Sequence, residues 1–300
     1  MPSLKEIKGR IGSVKSTLKI TSAMKLVASA KLRKAQQAIE GMRPYERKLQ
    51  EMLSRLMAGR EGALPGAFAR NGSRSDAEGS VPSLPAEKER VAIVAFASNS
   101  SLCGAFNANA VRLTMEALKE YADADVTVYS VGRKMADSMR KVGKPTPEDY
   151  QKLADKPAYA PAAELAEKLM EDFREGRLDR VELIYNHFVS SGKQVPVRET
   201  FLPMSPVIPG EVQKESDIEY ILEPSASELL EELLPKSLKL KFFTALLDSN
   251  ASEHAARTVA MQLASDNADE LLEQLTLEYN KRRQQAITSE LLDIVGGSMS

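Results

Sequence analysis

Tryptophan is absent from this 300-residue chain, and aromatic residues make up only 5% of it. A single cysteine excludes a disulfide framework and a cysteine-based zinc site. The two histidines, His187 and His254, are too few and too far apart in sequence for a histidine-rich metal site. No run of about 18 apolar residues predicts a transmembrane helix, and we expect no cleavable leader because the N-terminus lacks an apolar signal-peptide core.

Charge is abundant but unevenly placed. The formal net charge is −1, yet residues 1–60 carry 14 Lys and Arg against 4 Asp and Glu. Residues 225–300 have the opposite balance, with 7 Lys and Arg against 12 Asp and Glu. A basic first segment and an acidic last segment can attract each other or face charged partners.

The first 57 residues predict one long helix. Alternating steps of three and four residues from Leu4 to Leu56 meet an apolar residue at thirteen of sixteen positions. A seven-residue repeat kept over this length indicates a left-handed coiled coil. At the exceptions Thr21 and Lys25 we expect the apolar stripe to shift face, because Ile20, Met24 and Val27 flank them.

The middle of the chain predicts a different architecture. Residues 59–89 are rich in Gly, Pro and Ser and are interpreted as a flexible insertion or linker. Residues 90–210 alternate strand-like and helical segments, beginning with the apolar run Val91–Ser98. Two final strands are joined by a predicted hairpin turn at 190–193. This order predicts a mostly parallel, Rossmann-like α/β domain with an antiparallel edge.

A second long helix is predicted from about Ser225 to Val295. Ser225 with Glu228 fits a capping box, and Gly296-Gly297 is expected to end the helix. At 1.5 Å per residue the two terminal helices reach roughly 80 and 100 Å, too long to be covered by the middle domain. We therefore predict an α/β fold plus an antiparallel coiled coil of the terminal helices. The expected segments are 1–58, 59–89, 90–212 and 213–300.

Motifs for catalysis are weak. No G-x-G-x-x-G follows the first strand, and Ser190–Gln194 lacks the spacing of a phosphate loop. The Asn99–Gly104 turn could be a ligand site or a strand-to-helix turn, and Cys103 fits a small buried residue better than a nucleophile. Two alternatives stay open from these residues: an independent α/β enzyme with its site at this turn, and a coiled-coil adaptor.

The basic first helix has further interpretations. A transit peptide, a lipid-binding helix and a nucleic-acid-binding helix are all basic. The heptads continue well past the length of a targeting segment, and no aromatic residue for base stacking precedes Tyr45. We therefore expect no nucleic-acid partner, and either a solvated coiled-coil face or a contact with an acidic protein.

Four segments, in order along the chain, resemble the gamma subunits of F-type ATP synthases. They are Lys19–Ala28 (KITSAMKLVA), Leu102-Cys103-Gly104, Ala251–Arg257 (ASEHAAR) with Ala260-Met261, and Tyr279–Leu291 (YNKRRQQAITSEL). The resemblance covers nearly the whole chain. It departs from the family pattern at Asn99-Ser100-Ser101, where a charged pair is usual, and at the long 59–89 segment.

The resemblance implies a rotor that is not itself catalytic and binds no cofactor. The coiled coil would enter a ring of three alpha and three beta subunits, and catalysis would lie at the alpha/beta interfaces. The α/β domain would contact the epsilon subunit and the membrane c-ring. Proton flow would turn this shaft and drive ATP synthesis. The chain would then be a peripheral membrane protein on the cytoplasmic face of a bacterial inner membrane.

The resemblance also implies roles for single residues. Arg283 and Gln284, with Thr288 nearby, match the family's contact with a beta-subunit loop, for which a guanidinium suits a carboxylate. Met24 and Lys25 match the region that passes an acidic beta-subunit segment. An apolar tip suited to a bearing sleeve is formed by Ile287, Leu291, Ile294 and Val295.

Overall fold

The computed structural model describes residues 3–58, 68, 88–204, 223 and 225–298. Two long helices, α1 (Leu4–Ala58) and α6 (Ala226–Ser298), enclose the other elements in sequence. The chain divides into two compact units. The helical unit contains the chain up to Ala30 and from Arg257 on, and the mixed unit contains Lys31–Ala256.

The helical unit is an antiparallel helix pair. Thr21 of α1 lies opposite Ser265 of α6, with 2.8 Å between the hydroxyl oxygens, and Lys25 Nζ donates to Gln262 Oε1 at 2.8 Å. Residue numbers therefore rise along one helix as they fall along the other. The predicted coiled coil is confirmed, and all sixteen predicted heptad positions of α1 are buried or half-buried.

The expected shift of the apolar stripe is wrong. Thr21 stays in the buried seam at 8% exposure, whereas Ile20 and Val27 are each 59% exposed. The seam accepts a polar residue here because the hydroxyl of Ser265, itself buried, supplies a hydrogen-bond partner.

The mixed unit is built on a four-stranded sheet. Between the long helices the chain forms shorter elements in the order β1 (Arg90–Phe96), α2 (Phe106–Glu120), β2 (Asp125–Val131), α3 (Arg133–Lys141), α4 (Gln151–Asp155), α5 (Tyr159–Arg174), β3 (Arg180–Ser190) and β4 (Lys193–Leu202). The sheet order is β2-β1-β3-β4. β1 pairs in parallel with β2 and β3, and β4 is the antiparallel edge strand, as predicted.

Both faces of the sheet are covered, which explains why β1 is an uninterrupted apolar run. Val91, Ile93 and Ala95 pack in a cluster with residues of α2 and α3. The alternate side chains of the strand, Ala92, Val94 and Phe96, belong to a larger core with residues from α1, α5 and α6. Alternation along a strand sends successive side chains to opposite faces, so a strand covered twice has no polar side.

Local details confirm some expectations and correct others. Glu228 N–H donates to Ser225 Oγ at 3.3 Å, so Ser225 caps the helix, and Ser225 Oγ donates to Glu228 Oε1 at 3.1 Å. The expected helix stop is wrong, because α6 continues through Gly296-Gly297 to Ser298. Helix α4 was not predicted, since it is only five residues long. Most of the predicted 59–89 insertion lies outside the described residues, and the four segment limits stay predictions.

Candidate functional site

The predicted beta-subunit contact lies on the last part of α6. Thr21 lies opposite Ser265 and Lys25 opposite Gln262. Extending this antiparallel register to Leu4, where α1 begins, puts Leu4 opposite the helical turn near Arg282. The stretch with Arg283, Gln284 and Thr288 therefore runs beyond the described part of α1. All three side chains are exposed. Their exposure leaves them free to meet another protein.

The two neighbouring arginines there differ in their contacts. Arg282 is half-buried and its Nε donates to Glu278 Oε1 at 3.0 Å, four residues earlier on the same helix. Arg283 makes no ion pair or hydrogen bond with any residue that the structure describes. Thr288 Oγ1 donates to the carbonyl of Gln284 at 2.9 Å. Arg283 is thus the unpaired guanidinium of this turn among described residues, with its fork of donors available.

Large apolar side chains crowd the same end of the helix. Ile287, Leu291, Ile294 and Val295 are exposed at 49%, 57%, 68% and 55%. Leu292, which the sequence analysis did not select, is exposed at 66%. The sequence feature that could have identified Leu292 is the Leu291-Leu292 pair, which lies in a part of α6 beyond the described part of α1. Five exposed large apolar residues within nine positions are typical of a surface that contacts another molecule.

Met24 and Lys25 lie elsewhere in the helical unit. Both are half-buried, and Lys25 is held against α6 by Gln262. Gln262 in turn donates from Nε2 to Asp266 Oδ1 at 2.7 Å. Arg283 lies twenty-one positions after Gln262 on α6, so the two are about 30 Å apart along the helix axis. The structure therefore places the predicted contacts on two separate surfaces.

The side chain of Asn99 in the Asn99–Gly104 turn is engaged in holding the backbone. Asn99 Nδ2 donates to the Gln151 carbonyl at 2.8 Å, and Asn99 Oδ1 accepts the Arg133 N–H at 2.9 Å. Ser98 N–H donates to Asn107 Oδ1 at 3.0 Å. These contacts join β1 to α2, α3 and α4. The Asn99 side chain thus serves the fold, which favours the strand-to-helix interpretation.

The cysteine and histidines also have structural surroundings. Cys103 is 2% exposed and packs with Phe106 and Ala256. His254 is buried, with 5% of it exposed. His187 has a half-exposed side chain whose Nδ1 lies 2.5 Å from Asp248 Oδ2.

Metal and membrane signals are missing from the described part of the chain. Its residues include no group of three or more His, Cys, Asp or Glu placed to hold a metal ion. Within the same residues, no helix has the length and apolar character needed to cross a membrane.

Comparison with known proteins gives matches over the whole chain. The family described as ATP synthase matches residues 3–300. The chain is similar to the ATP synthase gamma chain of Phocaeicola vulgatus, with 53% identity over 308 aligned residues and all of both chains covered. It is 43% identical to the ATP synthase gamma chain of Flavobacterium johnsoniae, covering 99% of this chain and 98% of that one.

Solved structures share the fold. A chain of the Euglena gracilis mitochondrial ATP synthase (the OSCP, F1 and c-ring part) matches with a TM-score of 0.60 and 21% identity, covering 99% of this chain and 93% of that one. A chain from the central stalk and c-ring of the Tetrahymena thermophila mitochondrial enzyme matches with a TM-score of 0.54 and 21% identity, covering 82% and 99%. Both have two long helices and a central mixed sheet in common with this chain.

Proposed function

The chain belongs to the ATP synthase gamma-chain family, and from this we infer that it is the central-stalk rotor subunit of an F-type ATP synthase. In that role it couples proton flow through the membrane sector to rotary ATP synthesis and hydrolysis in the alpha/beta catalytic ring. The family membership supports this function over the adaptor and over the independent α/β enzyme.

One structural observation carries the proposal: the surface of the helical unit is unusually apolar. Of the eighteen large hydrophobic side chains exposed in the described residues, twelve lie in this unit. Five of them are at the end of α6. Water-exposed apolar surface of this kind marks a protein interface. A shaft that turns inside a ring requires such a surface, since apolar contacts have no preferred direction.

The chain itself is proposed to be non-catalytic and to hold no cofactor. One feature supports this. The side chain of Asn99, in the turn considered as an enzyme site, is committed to backbone contacts with Gln151 and Arg133. Catalysis is assigned to the alpha and beta subunits of the complex, which is an ATPase as a whole.

The partners are assigned to different surfaces. Arg283, Gln284 and Thr288 contact a beta-subunit loop, and Met24 with Lys25 passes the acidic beta-subunit segment. Ile287, Leu291, Ile294 and Val295 turn within the apolar sleeve of the alpha/beta ring. The α/β domain contacts the epsilon subunit and the c-ring.

The location follows from these partners. Through the c-ring the complex holds this chain at the cytoplasmic face of a bacterial inner membrane. The bacterial sources of the similar gamma chains support this assignment.

Adjacent arginines provide the test of the beta-subunit contact. Arg283→Ala and Arg282→Ala are each assembled with alpha and beta subunits, and coupled ATP hydrolysis is measured. Arg283→Ala should reduce it about tenfold, the effect of losing one charge-assisted hydrogen bond. Arg282→Ala, which removes the pair with Glu278 of the same helix, should change it less than twofold. Equal activity of the Arg283 variant and the parent, at equal assembly, would refute the contact.

A further inference from the structure

Strand β3 continues past the strand beside it. β1 pairs with β3 only between Arg180 and Ile184, whereas β3 extends to Ser190. From Tyr185, which pairs with Val197, the rest of β3 has only β4 as a strand neighbour among the described residues. We call residues 185–197 the arm. A two-stranded hairpin is marginally stable alone, so the arm depends on what it contacts.

Asp248 of α6 holds the open edge of the arm with both carboxylate oxygens. Oδ1 accepts the backbone N–H of Phe188 at 2.9 Å, and Oδ2 lies 2.5 Å from His187 Nδ1. The carboxylate replaces the acceptor that a further strand would have supplied. Two simultaneous contacts oppose sliding of the arm along the helix, which a single ion pair does not.

The carboxylate of this contact is sheltered from water, whereas the His187 side chain is half-exposed. The Asp248 side chain is only 14% exposed, and its removal from water raises its pKa. The contacts with His187 and the Phe188 N–H, and the positive charge of Arg43 on α1, lower the pKa in opposition. The Phe188 side chain packs on a small cluster that includes Leu32 of α1 and Ala251 of α6. The arm is therefore fixed to both long helices, by a polar contact and by an apolar one.

Other polar contacts of α6 with the domain include a hydrogen bond from Asn250 Nδ2 to the Ala154 carbonyl at 3.2 Å and ion pairs at the surface. Lys239 and Glu167 are 3.0 Å apart, but the glutamate side chain is 63% exposed. Such surface pairs contribute little. The arm contact differs from these in using both carboxylate oxygens of one largely buried α6 side chain.

We propose that Asp248 is a positioning residue that pins the arm to α6 and so transmits torque between the sheet and the two long helices of the mixed unit. This rests on the proposed rotor function. In a rotor, force applied to the α/β domain must reach the shaft, and an attachment that slides loses part of each step.

The test uses the full chain assembled into the ATP synthase complex. Three variants are compared with the parent: Asp248→Ala, Asp248→Asn and the control Lys239→Ala. ATP hydrolysis and ATP-driven proton pumping are measured on the same preparations, and amide hydrogen exchange at Phe188 is measured on the isolated chains. Asparagine keeps an acceptor for the Phe188 N–H, so it is the conservative replacement.

We expect Asp248→Ala to speed exchange at Phe188 about 10- to 100-fold, the effect of losing one hydrogen bond to a charged group. It should also lower the protons pumped per ATP at least twofold, whereas Asp248→Asn and Lys239→Ala stay within a third of the parent ratio. Unchanged exchange in Asp248→Ala would overturn the pin. Faster exchange with a normal pumping ratio would overturn the torque role.

Two other outcomes are distinguished from a failure of the proposed pin: an unfolded Asp248→Ala variant and a parent chain that does not restore pumping. If Asp248→Ala does not fold, His187→Ala is used, which removes one of the two contacts and should give a smaller loss in the same direction; a parent-like ratio and exchange would overturn the proposal. If the parent chain itself does not restore pumping, the rotor function fails, whatever the variants do.

Discussion

A buried ion pair between β3 and β4 gives the sharpest stability prediction. Glu182 is 3% exposed in the middle of the sheet. Arg198 donates to it from Nε at 2.6 Å and from Nη2 at 3.1 Å, and Tyr121 donates its hydroxyl at 2.6 Å. Arg198 also contacts Glu120. Arg198→Met therefore leaves a buried carboxylate with a single neutral donor.

The expected cost is about 3–5 kcal/mol, since removal of one partner strands a buried charge. Glu182→Leu combined with Arg198→Met should recover most of this loss because no charge then remains buried. The control Arg177→Met removes a contact of 2.6 Å to Asp172 with an arginine that is 55% exposed, and should cost less than about 1 kcal/mol.

Urea unfolding followed by tyrosine fluorescence measures these differences, since the chain has eight tyrosines and no tryptophan. The reasoning would be refuted if Arg198→Met cost no more than Arg177→Met. It would also be refuted if the double variant were less stable than the single one.

Three further predictions concern other positions. Gly132→Ala should lower the unfolding free energy by more than about 2 kcal/mol in urea, because φ is +107° and an added Cβ would lie 2.1 Å from the Ala97 carbonyl oxygen. Thr21→Val should lower it by about 1–3 kcal/mol, since it leaves the buried Ser265 hydroxyl without this partner, and adding Ser265→Ala should restore most of the loss in thermal unfolding. Burial raises the pKa of Glu46, so its carboxyl binds a proton more tightly in the folded state and stability falls as pH rises from about 4 through the raised pKa. Glu46→Gln should therefore gain stability over the parent in urea at neutral pH but not near pH 4, and a parallel pH profile would contradict the burial argument.

Periodicity alone predicted most of the fold. The heptads of α1 and the apolar run of β1 repeat with the geometry of a helix seam and a doubly covered strand, so burial follows from spacing. The error at Thr21 has a physical cause. A hydropathy pattern on one helix carries no information about the side chain opposite, and Ser265 is 244 positions away.

The contacts that hold separate elements together were not predictable in the same way. In the sequence Asp248 is one more acidic residue of a long helix. Its contact with the arm depends on the unpaired edge of β3 lying beside α6. Arg198 lies opposite Ile184 and reaches Glu182 diagonally, which depends on the register that the hairpin sets between the two strands. The roles of Arg283 and the apolar tip came from the family resemblance, and they stay predictions.

The central claim is that this chain is the turning shaft of the complex. The most direct measurement fixes the alpha/beta ring to a surface, attaches a bead to the α/β domain of this chain and records the bead after ATP is added. The account predicts sustained rotation in one direction that stops when ATP is removed. A bead that only fluctuates, on rings that contain this chain and hydrolyse ATP, would contradict it.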